Sequence, residues 1–69
     1  MKVISKLPAL MKARNLSQRD VVDGTGLAPG TVGKYFRGHL DRFDSKSIVA
    51  LCKYFDLVEI GQLLELSDD

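Results

Sequence analysis

The 69 residues are 45% hydrophobic and 28% charged, a balance that suits one small globular domain and is too apolar for a disordered chain. A single cysteine excludes an internal disulfide, and no apolar run approaches the ~18 residues of a membrane span. Net charge is only +1, but residues 1–42 carry eight basic side chains against three acids, whereas residues 43–69 carry two against six, so one part of the chain suits phosphates and the other repels them.

Met1 to Lys6 has the positive start of a secretory signal but neither its apolar stretch nor its cleavage site, so a soluble cytoplasmic protein with residues 1–69 as one domain is expected. Val3-Ile4 reads as extended. From Lys6 to Arg14, Leu7, Leu10 and Met11 fall at the spacing of a helix with one buried face. Pro8 fits its first turn, where its missing N–H has no partner to forgo.

Ser17 is a good cap for a second helix, with Asp20 three residues later in the position of a capping box. Val21 and Val22 give that helix its apolar side, and Gly24-Thr25-Gly26 is expected to stop it. A third helix opens at Pro29 and runs to about Arg37, with Val32, Tyr35 and Phe36 as its core face and Gly38 closing it. After a polar loop at residues 39–43, Asp44 or Ser45 caps a fourth helix whose Ile48, Leu51, Cys52 and Phe55 make the clearest amphipathic stripe in the chain. A short fifth helix, about Glu59 to Leu63, brings in Ile60 and Leu63, and Leu64-Glu65-Leu66 alternates like a strand. The predicted architecture is all-α, five short helices with strand-like termini that can pair with each other or with a second subunit.

Residues 17–38 thus read as helix, glycine-containing turn, helix. The residues that carry a wider likeness are Leu16-Ser17-Gln18, Val21-Val22, Gly26-Leu27, Thr31-Val32, Tyr35 and Gly38, followed by the stretch from Ile48 to Phe55, Leu57 and Ile60 to Leu64. In this order and spacing the chain resembles the lambda-repressor/Cro-like helix-turn-helix family over about residues 6–66. The resemblance implies that the third helix enters the major groove of duplex DNA. Gln18 would touch a phosphate and brace the third helix, with Ser17 and Arg19 beside the same phosphate. Pro29, Gly30, Gly33 and Lys34 would face base edges, Thr31 and Arg37 would lie near the backbone, and His39 and Arg42 would meet the next phosphates.

The chain departs from that family where it commonly carries side chains that read bases. Pro29, Gly30 and Gly33 offer no side-chain hydrogen bonds, and glycine inside a helix costs roughly 0.5–1 kcal/mol relative to alanine. A smooth helix surface that seats deep in the groove is the expectation, with Lys34 reading guanine and DNA shape adding selectivity.

Other chemistry has duller explanations. Cys52 lies on the apolar stripe and reads as a buried structural thiol rather than a redox sensor or metal ligand. His39 has no partner at metal-ligand spacing, and Tyr35 is placed in the core by Val32 rather than on a base. Asp41 and Asp44 read as a loop residue and a helix cap, not an acid pair. The glycines from Gly24 to Gly33 lack the Lys-Ser/Thr of a phosphate-binding loop. No cofactor, metal or enzyme activity is expected. The leading reading is a repressor that binds duplex DNA as a homodimer. The alternative is an antitoxin or other module that uses the helix-turn-helix for autoregulation and holds a protein partner with its acidic third.

Overall fold

The computed structural model describes residues 1–68, and of His39 the backbone only. In chain order the elements are β1 (Lys2–Ser5), α1 (Leu7–Arg14), α2 (Gln18–Thr25), α3 (Pro29–Phe36), β2 (His39–Leu40), α4 (Ser45–Tyr54), one 3-10 turn (Ile60–Gln62) and β3 (Leu64–Ser67). Among the described residues no helix is long and apolar enough to cross a membrane.

Two expectations about architecture need correction. The fold is mostly helical but not all-α, because β1 forms the centre of a three-stranded antiparallel sheet ordered β2-β1-β3. The two ends of the chain pair with each other: Val3 lies opposite Leu66 and Ile4 opposite Glu65. On the other side Val3 meets Leu40 and Ile4 meets His39, so the segment expected as a polar loop begins with a strand.

The fifth helix is the second correction. Residues 60–62 make a single 3-10 turn, since the chain must reach Leu64 in an extended form to pair with Ser5. The Gln62 side-chain oxygen accepts the N–H groups of Val58 at 2.8 Å and Glu59 at 2.9 Å, which closes the turn in the space available. Leu63 is fully buried, but Ile60, expected beside it, is 57% exposed.

The core consists of Leu7, Met11, Val21, Val32, Tyr35, Leu40, Ile48, Leu51, Phe55 and Leu63, drawn from every helix and from the sheet. Phe36, expected on the core face, is exposed instead: Val32 and Tyr35 alone turn inward from α3. Cys52 is half-buried rather than buried, and that burial pushes its thiol pKa up.

Local signals set the helix ends. The Ser17 hydroxyl accepts the Asp20 N–H at 3.1 Å while the Asp20 carboxylate accepts the Ser17 N–H at 2.9 Å, a complete capping box. Gly26, at φ 75°, ends α2 in the left-handed region. Gly24 does not stop the helix. It lies inside α2 against the Tyr54 ring, and a Cβ there would overlap the ring. The Tyr54 hydroxyl also reaches the Asp20 carbonyl, at 3.5 Å. Glycine here lets α4 approach α2, which fixes the helix that α3 follows.

Candidate nucleic-acid interface

The turn from Gly26 to Ala28 carries the chain from α2 into α3. Pro29 supplies no N–H and the cap residue Ala28 has no side-chain oxygen, so the start of α3 has no side-chain cap. With Val32 and Tyr35 fully buried, helical spacing places Pro29, Gly30, Gly33, Lys34 and Arg37 on the outward stripe. Pro29, Gly30 and Arg37 are exposed, and Thr31, Gly33 and Lys34 are half-buried.

Neither glycine on this stripe is required by packing. A Cβ built on Gly30 meets nothing within 4 Å, and one on Gly33 would lie 3.6 Å from both the Gln18 side-chain oxygen and an Arg37 guanidinium nitrogen. Both are ordinary contacts. Neither position has a positive φ, so alanine would fit and would strengthen the helix.

The structure brings the predicted residues together in linked groups. Gln18 and Arg19, at the start of α2, line one hollow with Pro29. Gln18 and Arg37 then flank Gly33. A second concavity is lined by Lys34, Arg37, Asp41 and Arg42, three cations around one acid. Ser17 is exposed and caps α2; its oxygen is occupied by Asp20, leaving the hydroxyl proton for an outside acceptor. The side chain of His39 lies outside the described residues.

Charge near the stripe is only partly committed to the fold. Arg19 and Asp23 approach at 3.9 Å with both side chains well exposed, a contact of little energetic weight. The Lys34 ammonium lies 5.8 Å from the centre of the Tyr35 ring, so the side chain leans toward that ring. The carboxyl of Asp44 is held below its ordinary pKa by the Ser47 hydroxyl and N–H, with a smaller contribution from Lys34. Asp20 is likewise lowered, by the Ser17 N–H and hydroxyl.

Two cations of the basic half serve structural ends elsewhere. Arg14 donates to the Phe55 carbonyl at 2.9 Å and stacks 5.2 Å from the Phe55 ring centre, closing the end of α4. Lys6 donates to the Gly61 carbonyl at 2.9 Å. The charge asymmetry in the sequence therefore overstates the positive surface. A cation in the last turn of the same helix would signal such a cap locally; Arg14 is some forty residues from its partner, and no local pattern reveals it. The seating of α4 on α2 by Tyr54 escapes a sequence reading for the same reason.

Comparison with known proteins adds one match. The family model for the Cro/C1-type helix-turn-helix DNA-binding domain matches residues 6–69. No curated protein and no solved structure matches the chain.

Proposed function

The chain belongs to the Cro/C1-type helix-turn-helix DNA-binding family, and on that premise we propose that it is a repressor whose α3 reads the major groove of a specific duplex site. The supporting observation is the outward stripe of α3. Two glycines stand there where alanine would fit, so the helix forgoes stability to keep a bare surface. A bare helix face flanked by Lys34, Arg37 and Arg42 suits close seating in a groove lined by phosphates.

The residues divide by reach. Ser17, Gln18 and Arg19 take the phosphate at the start of α2, where the helix end also favours an anion. Pro29, Gly30 and Gly33 provide the close approach, and Lys34 turns from the Tyr35 ring to guanine O6 or N7. Thr31, Arg37 and Arg42, with His39, hold the flanking backbone. A single copy offers one base-reading cation, too little for tight specific binding, so two copies on two half-sites about one helical turn apart complete the site. Acting in the cytoplasm, such a pair covers a promoter and blocks transcription.

Selection of binding sequences from randomised duplex, followed by titration of Lys34→Ala, tests this reading. The expected result is a two-fold symmetric site and a loss of about 1–3 kcal/mol that is confined to one base pair in each half. Equal weakening on every duplex would reduce Lys34 to a phosphate contact. Failure of the wild-type protein to retard any duplex at low salt would end the proposal.

A further inference from the structure

The hollow between the start of α2 and the start of α3 is lined by Gln18, Arg19, Val22, Asp23 and Pro29. Two of these side chains are pure hydrocarbon. Val22, on α2, is half-buried, and Pro29, in the first turn of α3, is exposed. Proline also brings no backbone N–H. The residue after it is Gly30, and a Cβ built there meets nothing within 4 Å, so the space beside the Pro29 ring is open.

Charge does not select what enters this hollow. Arg19 and Asp23 approach each other at 3.9 Å, both well exposed, and their charges cancel. Asp23 opposes an anion here, so the phosphate assigned to Arg19 lies outside the hollow. The two surfaces that distinguish the site are Val22 and Pro29, and both suit an apolar group.

Among the groups that base pairs present in the major groove, only the 5-methyl of thymine is apolar. A base nitrogen or oxygen set against Val22 and Pro29 would lose water without gaining a partner. We propose that the hollow takes the 5-methyl group of one thymine in each half-site, which makes Pro29 and Val22 specificity-determining residues. This assignment deepens the functional reading above and rests on it for the entry of α3 into the groove. Pro29 and Lys34 stand roughly 7.5 Å apart along the helix, so the thymine and the guanine belong to different base pairs. Recognition at one end of α3 is then by hydrogen bonding and at the other by shape and hydrocarbon contact.

Fluorescence anisotropy on the selected duplex, and on copies in which each thymine in turn is replaced by deoxyuridine, tests the assignment. Deoxyuridine lacks the methyl group and keeps every hydrogen-bonding group of thymine. Affinity should fall about 3–5-fold at one thymine of each half-site, the worth of one buried methyl group. Pro29→Ser and Val22→Thr each put a hydroxyl into the wall, and in both the preference for thymine over uracil at that position should fall to about 1, with circular dichroism unchanged. A residue that only supports the fold would weaken both duplexes equally and leave the preference intact. If no thymine responds to loss of its methyl group, the assignment fails while the groove reading stands. A preference that persists in both variants would assign it to duplex shape and overturn the hollow in the same way. A wild-type chain that binds no duplex at low salt would remove the groove reading and the hollow together.

Discussion

α3 and α4 run for eight and ten residues and turn similar stripes inward, Val32 and Tyr35 from one, Ile48 and Leu51 from the other. Their starts and interiors differ. α4 begins at Asp44, whose carboxylate accepts the Ser47 N–H at 3.1 Å, and its interior contains no glycine. α3 begins at Ala28 with no side-chain cap and carries two glycines. One helix is stabilised by its own sequence; the other is held by what surrounds it, chiefly α2 and the core. A helix freed from stabilising itself can present whatever outer face a partner requires, which is the property that the proposed role of α3 uses.

The largest effect should come from the shared inner stripe. Leu51→Ala, at a fully buried position, is expected to cost about 2–5 kcal/mol, enough to unfold much of a domain this small. Urea denaturation followed by circular dichroism reads it. A cost under about 1 kcal/mol would mean that α4 does not anchor the core.

The outer face of α3 should respond in DNA binding alone. Replacing Arg37 and Arg42 together by alanine removes two cations beside the stripe, and both are exposed. Stability should hold, while the slope of log affinity against log salt falls by about 0.9 for each phosphate no longer neutralised. A slope that does not change would place these cations away from the duplex and weaken the distinction between the two helices.

How much of this is legible in the sequence depends on the range of the interaction. The Ser17–Asp20 capping box, the Asp44 cap, the turn at Gly26 and the α4 stripe are settled within a few residues, and all are present. The fifth helix is absent because Ile60 and Leu63, three apart, suit an α-helix and a 3-10 turn equally; pairing of Leu64 with Ser5, almost sixty residues away, decides between them. The same distance hides the Arg14 and Lys6 hydrogen bonds and the approach of Tyr54 to Gly24. Hydrophobicity alone points Phe36 inward, although Val32 and Tyr35 already fill the inner face of α3. Of the candidate site, the spacing of Gly33, Lys34 and Arg37 is legible because it is helical; the approach of Gln18 to Gly33 depends on how α2 packs on α3, and the lean of Lys34 over Tyr35 is not legible.

Giving α3 the cap that α4 already has should separate stability from binding. Ala28 sits at φ −65° and ψ 146°, the extended geometry of a helix cap. Ala28→Asp should therefore raise stability by about 0.5–2 kcal/mol while placing a negative charge against the phosphates and weakening duplex binding. Gly33→Ala should add about 0.5–1 kcal/mol in thermal denaturation, with affinity lowered by the methyl group on the seating face. If both substitutions stabilise the fold and leave DNA affinity intact, the bare stripe has no role in recognition.

The smallest expected effect concerns acid. Hydrogen bonds from Ser47 hold the Asp44 carboxyl below its ordinary pKa, and those from Ser17 do the same for Asp20. A carboxyl lowered in the folded state binds fewer protons there than in the unfolded chain, so its contribution is complete above the ordinary aspartate range and fades as pH falls through the folded value. Both side chains are exposed at the surface, where solvent screening keeps the contribution modest. α3 has no titrating cap, so acid removes nothing at its start. Asparagine also caps helices but carries no titrating proton, and the variant with both Asp20→Asn and Asp44→Asn should lose less stability than wild type between about pH 5 and pH 2. Parallel pH curves for the two proteins would show that these caps act through hydrogen-bond geometry alone, making the advantage of α4 over α3 independent of charge.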